Sequence, residues 1–340
     1  MSDLPQGNRV AVLVLNRDGA HFLDACFQSL QKITQPSFDI YLIDNASSDS
    51  SVELTRTRYP TVRIIRNETN LGFAGAYDQA IRMLDYEYVV LLNNDTVVEK
   101  KWLQALFAPV EDDEKVAACT SKIVMMSDHT VLDHAGGMLT LTGSGLDTGK
   151  WSKDQGQYQA AREVGFGCGC SLLLRKSAYL EAGGFDPRYI IYHEDVDLCW
   201  RMRMLGYSVV YVPDSVVYHH LGGGTITGME NPWKTYLCQK NRLANMIKNM
   251  GAALLIKGLF VSTAYDTVRI VRYVLLRRTD LLQALFKGYR DTLKDLKHLL
   301  KQRRVIQESR RVSDRDLSRF FQPLASSAKE YMRLVRSASN

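Results

Sequence analysis

The first hundred residues of the sequence alternate between two hydrophobic periods. Four short, continuous apolar runs rich in β-branched residues are typical of strands buried on both faces, and they span residues 10–15, 40–43, 62–65 and 88–92. Amphipathic helical patterns lie between them, one through Leu23, Phe27 and Leu30 and another over residues 74–84. Strands that alternate with helices form a parallel sheet with crossover helices, so this part of the chain predicts an α/β fold.

The pattern becomes mixed after residue 116. It predicts strands near residues 116–124, 171–174 and 209–217, a polar, glycine-rich excursion over 127–165, and a helix from about residue 194 to residue 205 that ends at Gly206. After Pro232 the chain is predominantly helical. We therefore expect a domain with a mixed central sheet over residues 1–230, in two halves of about 8–115 and 116–230, followed by a helical region over 231–340.

Composition and hydropathy narrow the class of protein. With 46% apolar and 24% charged residues, the chain is suited to a large buried core and is unlike a disordered protein. The six cysteines are sparse and are expected to be reduced. Residues 251–276 are apolar nearly all round but carry four charges, so we expect no membrane-spanning helix. The N-terminal sequence predicts no signal peptide.

The net charge of +6 is unevenly distributed. Residues 251–340 contain 19 Lys and Arg against 8 Asp and Glu, whereas residues 1–250 are net acidic. This basic region predicts an anionic partner, either a membrane surface or nucleic acid, unless it is only solvated. This region contains an apolar stripe of Leu293, Leu296 and Leu300, with Lys294, Lys297 and Lys301 beside it. The stripe predicts an amphipathic helix at a membrane interface. The alternative is that these helices pack on the body of the protein or on a second copy.

Polar residues follow four of the predicted strands, where ligands bind in an open parallel sheet. They are Asn16-Arg17, Asp44-Asn45, Asn67 with Asn70 and Gly72, and Asn93-Asn94-Asp95. Each aspartate alone could be a helix cap, but their position at neighbouring strand ends favours a binding site. The phosphate-binding GxxxxGK[ST] motif is absent and Gly167-Cys168-Gly169 lacks a third glycine, which argues against ATP hydrolysis and NAD chemistry.

Asp95 is a candidate metal ligand. Carboxylate oxygen suits a hard divalent cation that takes phosphate and water as its other ligands. We therefore expect Mg²⁺ or Mn²⁺ at Asp95, bridging the diphosphate of a nucleotide whose base lies at Asp44.

A second acidic cluster covers residues 193–201. The zinc motif HExxH fails here because Asp197 stands at its last position. Asp197 and Arg201 are four residues apart and predict a structural ion pair. Glu194 and Asp195 have no such partner in the sequence, and one of them is a candidate general base because crowding raises a carboxyl pKa.

Other side chains have weaker functional interpretations. His219 and His220 precede a glycine-rich stretch and could supply an imidazole to the metal or a donor to the diphosphate, or be structural. Cys168 and Cys170 are expected to be packing residues. Trp151 lies in the polar excursion, where it could contact an acceptor.

Residues 8–245 resemble the inverting family 2 glycosyltransferases of GT-A fold, especially their bacterial rhamnosyltransferase-like branch. The resemblance rests on the order and spacing of several motifs, which are residues 14–17, 43–49, 70–75, 92–95, 183–186, 193–201 and 220–223.

The resemblance implies a role for each motif. Donor-binding residues would be Asn16, Arg17, Asp44, Asn45, Asn70, Gly72, Asn93, Asn94 and Asp95. Among these, Asp44 would contact the pyrimidine or ribose, and Asp95 would be the metal carboxylate of the family's DxD position. Asp195 would be the base that deprotonates the acceptor hydroxyl, and Glu194 would position the acceptor.

The implied activity is a single displacement that inverts the sugar. The donor suggested by residues 70–74 is dTDP-rhamnose, with a UDP-hexose as the alternative, and the acceptor is a glycan or a lipid-linked glycan in cell-surface polysaccharide synthesis. A catalytically silent sugar-nucleotide-binding protein is the rival interpretation. We expect a cytoplasmic protein, peripheral on the inner face of the plasma membrane or dimeric, and no nucleic-acid partner, because interleaved aromatic residues are lacking.

Overall fold

The computed structural model describes residues 9–220 and 231–323. The glycine-rich stretch predicted after His220 lies outside these residues. The strands are β1 (Val10–Asn16), β2 (Phe38–Asn45), β3 (Arg63–Asn67), β4 (Tyr88–Asn93), β5 (Thr96–Val98), β6 (Val116–Met125), β7 (Leu132–His134), β8 (Gly137–Leu139), β9 (Gly145–Asp147), β10 (Arg162–Glu163), β11 (Ser171–Arg175) and β12 (Ser208–His219).

Helices connect these strands and form the C-terminal region. They are α1 (Ala20–Leu30), α2 (Ser51–Arg58), α3 (Gly72–Met83), α4 (Trp102–Asp112), α5 (Lys176–Glu181), α6 (Glu194–Met204), α7 (Pro232–Asn249), α8 (Ala252–Leu275), α9 (Thr279–Lys294), α10 (Leu296–Glu308) and α11 (Asp314–Leu317).

Ten strands form one mixed sheet in the order β10-β12-β6-β11-β4-β1-β2-β3, with β5 paired to β12 and β7 to β6. The pairings among β1, β2, β3 and β4 are parallel, as their alternation with helices predicts. Strand β11 is inserted antiparallel between β4 and β6 and makes the sheet mixed. The predicted mixed α/β architecture and its helical C-terminal region are therefore confirmed.

The register of the parallel strands aligns their carboxyl ends. Asn16 is opposite Asp44, Asp44 is opposite Arg66, and Leu15 is opposite Asn93. The polar residues that follow these strands consequently lie along one edge of the sheet.

The sheet has a hydrophobic core on each face because successive side chains of its central strands point to opposite sides. In β1, Ala11 and Leu13 belong to the core beneath α3 and α6, whereas Val12 and Val14 belong to the core beneath α1 and α4. Trp102 and Trp200 are fully buried, one in each core.

The C-terminal helices pack on this body through α7, α10 and the segment after α10. Phe321 contacts Trp200, and the backbone N–H of Gln322 donates to Leu139 O over 2.8 Å. Arg311 forms an ion pair of 2.6 Å with Glu181. Within residues 9–220 and 231–323, no helix is both long and apolar enough to cross a membrane.

Two expectations about the C-terminal region are wrong. The stripe through Leu293, Leu296 and Leu300 does not lie on one helix, because α9 ends at Lys294 and α10 begins at Leu296. Residues 252–276 are not apolar all round either. The face of α8 that packs on the protein has the buried polar residues Ser262 and Asp266 at its centre, with partly buried apolar residues such as Leu254 and Ile270 beside them.

Candidate active site

The carboxylate of Asp44, at the end of β2, is fully buried and has no hydrogen-bond partner among the described residues. The nearest cation is Arg66, whose Nε lies 3.7 Å from Asp44 Oδ2. Leaving a buried carboxylate without hydrogen bonds costs free energy, and such a group at a ligand-binding edge indicates a missing polar ligand. Asp44 therefore does not serve as a helix cap.

The end of β1 is tied to the end of β4 by side-chain amides. Asn94 Nδ2 donates to Asn16 Oδ1 over 2.6 Å, and Asn16 Nδ2 donates to Ser47 Oγ over 3.1 Å. The neighbouring Arg17 is largely exposed, with its Nε 3.8 Å from Asp18. This arrangement fixes the amides and leaves a cationic side chain at the rim of the site.

Both the NH2 group and the oxygen of the Asn45 side chain form hydrogen bonds that hold the loop before α3. Its Nδ2 donates to Asn70 Oδ1 over 2.8 Å and to Gly72 O over 3.2 Å, while its Oδ1 accepts the N–H of Leu71 over 3.0 Å. Gly72 has a φ of 72°, and a Cβ there would lie 2.7 Å from Ile190 O. These predicted donor-binding residues thus shape the loop through their contacts with one another.

Asp95 lies in a chain of buried charges. Its Oδ1 is 3.3 Å from His219 Nε2, and His219 Nδ1 is 2.9 Å from Asp133 Oδ2. Lys150 Nζ in turn lies 2.7 Å from Asp133 Oδ1. Burial alone would lower the pKa of His219, but the Cys170 thiol and the hydrogen bonds to Asp133 and Asp95 raise it well above its usual range.

The two histidines have different positions. The imidazole of His219 faces Asp95, with its Nε2 also 3.5 Å from Asn93 Nδ2. His220 donates its backbone N–H to Asp95 O over 3.0 Å, and its exposed ring lies 5.4 Å from that of Phe22. Of the pair, His219 is the one that the structure places beside Asp95.

Asp95 fits part of a metal site, and so does His219 once its imidazole has lost its proton. The described residues contain no group of three or more His, Cys, Asp or Glu arranged to hold a metal. A divalent cation bound with a nucleotide needs only one or two protein ligands, since phosphate oxygens and water complete its coordination. The hydrogen bond from His219 to Asp133 matches the carboxylate that orients a metal-binding histidine.

The Glu194-Asp195 pair begins α6. Asp195 is partly exposed and accepts the N–H of Gly169 over 3.0 Å and that of Val196 over 2.8 Å. Burial raises the pKa of Asp195 to about 6, although these two donors oppose the shift. Burial and the charge of Asp195 also raise the pKa of Glu194 well above its usual range, and Glu194 Oε2 is buried without a hydrogen-bond partner in the described part of the chain.

The turn before this pair is held in an uncommon conformation. Ile190, Tyr192 and His193 have positive φ values of 63°, 74° and 66°. Such residues cost free energy and persist only where the surrounding structure holds them, which is common at functional sites. This turn aims the first residues of α6 at the loop that contains Gly169.

Asn241 on α7 holds this turn, and sequence reasoning missed it. Its Nδ2 lies 3.0 Å from the carbonyl oxygens of Tyr189 and Ile191 and 2.7 Å from that of Tyr192. The sequence offered no signal for the role, because Asn241 is separated from the turn by about 50 residues and lies in an ordinary helical pattern. Asn241 is thus a positioning residue for the start of α6.

Asp197 is structural, as its spacing from Arg201 predicts. Its Oδ2 lies 2.7 Å from Arg201 Nη2, and its Oδ1 lies 3.0 Å from both Lys248 Nζ and Asn249 Nδ2. All four side chains are buried. The cluster joins α6 to α7 and takes this carboxylate away from the reactive pair.

Asp195 and Asp95 border one short loop between β10 and β11. Asp195 accepts the N–H of Gly169. The next residue, Cys170, accepts the N–H of Asn93 over 3.0 Å at its carbonyl oxygen, and its thiol raises the pKa of His219, the partner of Asp95. Two acidic groups a hundred positions apart are therefore linked, directly or through a neighbouring residue, to consecutive residues of one loop.

Trp151, the predicted acceptor contact, follows Lys150 in the connection between β9 and β10. The residue is 51% exposed, and its backbone N–H donates to Leu132 O over 2.8 Å.

A separate cavity of about 480 Å³ lies beneath α10, between Arg82, Gly184 and His298, and its lining contains neither Asp95 nor Asp195.

Comparisons with known proteins agree with this geometry. The family model named "Glycosyl transferase family 2" matches residues 10–182, which include the four parallel strands and the polar residues at their ends. The chain belongs to glycosyl transferase family 2. The family 2 resemblance read from the motifs is confirmed.

One curated relative and two solved structures are similar to this chain over most of its length. The N-acetylglucosaminyl-diphospho-decaprenol L-rhamnosyltransferase of Mycobacterium tuberculosis is 30% identical over 236 residues, covering 63% of this chain and 76% of the relative. The structure of GalNAc-T7 with UDP, GalNAc and Mn²⁺ gives a TM-score of 0.58 at 17% identity, over 72% of this chain and 48% of that one.

The second structure is the mannosyltransferase PcManGT from Pyrobaculum calidifontis in complex with GDP-Man and Mn²⁺. It gives a TM-score of 0.53 at 16% identity and covers 87% of this chain and 86% of that one. At these identities the two structures show the fold alone. They confirm the predicted GT-A fold class for this family 2 glycosyltransferase.

Proposed function

We propose that this family 2 glycosyltransferase transfers a sugar from a pyrimidine nucleotide diphosphate to an acceptor hydroxyl, with inversion. The observation that carries the proposal is the buried carboxylate of Asp44, which accepts no hydrogen bond from the described residues and lies on the same sheet edge as Asp95. Asp44 would bind the base or ribose, and Asp95 would lie at the diphosphate. The neighbours GalNAc-T7, in complex with UDP and Mn²⁺, and PcManGT, in complex with GDP-Man and Mn²⁺, support a nucleotide diphosphate donor with a divalent cation, and the first of them supports a pyrimidine base.

The donor pocket would be completed by the residues around Asp44. Arg17 is at the rim and supplies positive charge, and Asn16 and Asn94 are fixed by their mutual hydrogen bond. Asn45, Asn70 and Gly72 act through the shape of the loop before α3. Asn93 lies beside His219 at the inner wall.

Asp95 and His219 would hold Mg²⁺ or Mn²⁺, with the donor diphosphate supplying further oxygen ligands. The cation supplies stabilisation of the negative charge that develops on the leaving nucleotide. His220 contributes to this edge through its backbone, which ties β12 to Asp95.

Asp195 is the proposed general base. It takes the proton of the acceptor hydroxyl as that oxygen attacks the anomeric carbon from the face opposite the diphosphate. The two backbone N–H groups at its oxygens fix the carboxylate, and its raised pKa brings it close to working pH. Glu194 lies next to it and would position the acceptor, together with the exposed indole of Trp151.

L-Rhamnose carried by dTDP is the favoured donor, and a UDP-hexose is the alternative. Support for rhamnose comes from the residues at the start of α3 and from the mycobacterial N-acetylglucosaminyl-diphospho-decaprenol L-rhamnosyltransferase, whose name describes a lipid-diphosphate acceptor. We accordingly place this chain in cell-surface polysaccharide synthesis, acting on a glycan or a lipid-linked glycan.

A thermal-shift screen of nucleotide sugars with and without Mn²⁺ tests this function. A ligand that binds only the folded chain stabilises it by about 2.7 kcal/mol at about 100 times its Kd. We expect dTDP- or UDP-sugars with Mn²⁺ to raise the melting temperature and purine nucleotide sugars to have little effect. The donor site is refuted if no pyrimidine nucleotide raises it, and donor binding without turnover for any acceptor would support the silent binding protein.

The pH dependence of turnover follows from the raised pKa of Asp195. The base works only when it is ionised, so kcat/KM should fall on the acidic side of pH 6, by about tenfold per pH unit. The measurement is the rate of nucleoside diphosphate release across pH 4.5–8, with circular dichroism at each pH to show that the chain stays folded. An acidic limb near the ordinary aspartate value of about 4 would contradict the assignment.

A further inference from the structure

Helix α8 has its polar face inside and its apolar face outside. Its buried side chains recur on one side of the helix and are largely polar; they include Ser262, Asp266, Arg269 and Tyr273. The opposite side carries large exposed apolar residues in two groups, each with spacings of three and four; the first is Ile256, Leu259 and Phe260, and the second is Val268, Val271, Val274 and Leu275. A helix that faces water on its outer side has the reverse arrangement.

The buried side of α8 has a specific reason to be polar. Arg242 of α7 pairs with Asp266 and donates to Ser262 Oγ over 2.6 Å. Arg269 Nη1 donates to Gln239 Oε1 over 2.8 Å. This network fixes the rotation of α8 about its axis, so the apolar side must point away from the protein.

Leu275 and Phe260 are the most exposed of these outward residues, with 77% and 75% of their surface accessible. At about 1.5 Å per residue the 24-residue helix is about 36 Å long, and the apolar strip runs along it with one interruption at the exposed Thr263 and Thr267. Exposed apolar surface of this extent marks an interaction site.

The charges that border the strip are cationic. Lys257 and Arg272 lie at its sides, and Arg277 follows its C-terminal end. The adjoining α9 adds the exposed Lys287. Acidic side chains are scarce on these two helices: Asp266 is buried in the network, and Asp280 and Asp291 are paired with arginines. An apolar strip with a cationic border complements an anionic lipid surface.

We propose that the outer face of α8 docks the protein on an anionic membrane surface, with the helix lying in the plane of the interface. Phe260, Val271 and Leu275 enter the boundary between headgroups and acyl chains, while Lys257 and Arg277 contact the anionic headgroups. This docking does not depend on the proposed transferase activity. It would bring the active site to acceptors carried by lipid.

A second copy of the chain fits the same face less well. One face of a helix about 36 Å long and 10 Å wide offers about 360 Å², whereas a stable interface buries about 800 Å² on each partner. A twofold pairing of α8 with itself would also bring the bordering cations of both copies together, which is repulsive.

Vesicle flotation of the full chain tests the proposal. We expect binding to vesicles that contain phosphatidylglycerol, weak binding to pure phosphatidylcholine, and release by salt. The triple variant Phe260→Gln, Val271→Gln and Leu275→Gln should lower the partition coefficient by at least about 100-fold, since each change removes a buried apolar side chain. Glutamine is a good helix former and keeps α8 intact.

Two further variants complete the design. Met83→Gln, Leu180→Gln and Val305→Gln replace exposed apolar residues on other helices and should leave flotation unchanged. Lys257→Gln with Arg277→Gln should weaken binding to anionic vesicles and reduce its sensitivity to salt, even if the triple variant is poorly folded.

Three results would overturn the proposal. They are absence of flotation on anionic vesicles, equal flotation of the triple variant and the wild type, and a change from dimer to monomer in the triple variant by light scattering, which would make the face a self-interface. Nucleotide-induced thermal shifts are read in the same samples, so a failure of docking is distinguished from a failure of the donor site.

Discussion

Asp195→Asn is expected to lower turnover by about 10²–10⁴-fold while nucleotide binding is retained. The amide keeps the size of the side chain and can still accept the N–H of Gly169, but it cannot take a proton from the acceptor. The measurement is nucleoside diphosphate release with donor, Mn²⁺ and acceptor, together with the thermal shift produced by the nucleotide.

The matched control is Asp214→Asn, which removes an exposed carboxylate from β12 and should change neither quantity. Turnover of Asp195→Asn within a few-fold of the wild type would show that another group is the base. Loss of the nucleotide-induced shift together with turnover would show instead that Asp195 belongs to the donor site.

Asp95→Asn should give the opposite pattern. The substitution removes the carboxylate charge that faces His219 and with it the part of nucleotide affinity that depends on Mn²⁺. We expect the nucleotide to bind at least about tenfold more weakly in the presence of Mn²⁺, a loss of about 1.4 kcal/mol, and to bind as the wild type does in its absence.

Isothermal titration calorimetry of nucleotide binding, once with Mn²⁺ and once with EDTA, separates the metal-dependent part of the affinity from the metal-independent part. The Asp214→Asn variant again serves as control and should keep the full response to Mn²⁺. If Mn²⁺ strengthens nucleotide binding equally in Asp95→Asn and the wild type, the metal is held elsewhere.

Much of the fold was predictable because buried parallel strands leave a strong pattern. The runs at residues 10–15 and 88–92 became β1 and β4 almost to the residue, and Gly206, with a φ of 93°, follows the end of α6. Helix α2 has no apolar stripe in its sequence, SVELTRTR, so hydrophobic periodicity does not mark it. Its start is instead held by Asp49, whose Oδ1 accepts the N–H of Ser51 over 3.0 Å.

The candidate site was only partly predictable. Strand ends identify Asp44 and Asp95 because parallel register places them on one edge. The chain of contacts from Asp95 through His219 to Asp133 and Lys150 depends on how β7 and β12 flank β6, which no local pattern reveals.

The orientation of helix α8 was also not predictable from the local sequence. Its sequence predicts a helix that is apolar nearly all round, because apolar residues on the outer face and on the two sides of the helix outnumber the polar residues. The polar inner face becomes evident only when Arg242 of α7 is seen to pair with Asp266. Periodicity gives the two faces of a helix but does not say which one the protein covers.

The central claim is that Asp95 and Asp195 serve a single donor whose base lies at Asp44. A structure of the chain with dTDP and Mn²⁺ measures this most directly. We expect the pyrimidine to contact Asp44 and the metal to lie between Asp95 and the diphosphate. We expect the carboxylate of Asp195 to lie on the other side of the loop that contains Gly169, with room beside it for the acceptor. Nucleotide bound in the cavity beneath α10, or a metal remote from Asp95, would contradict it.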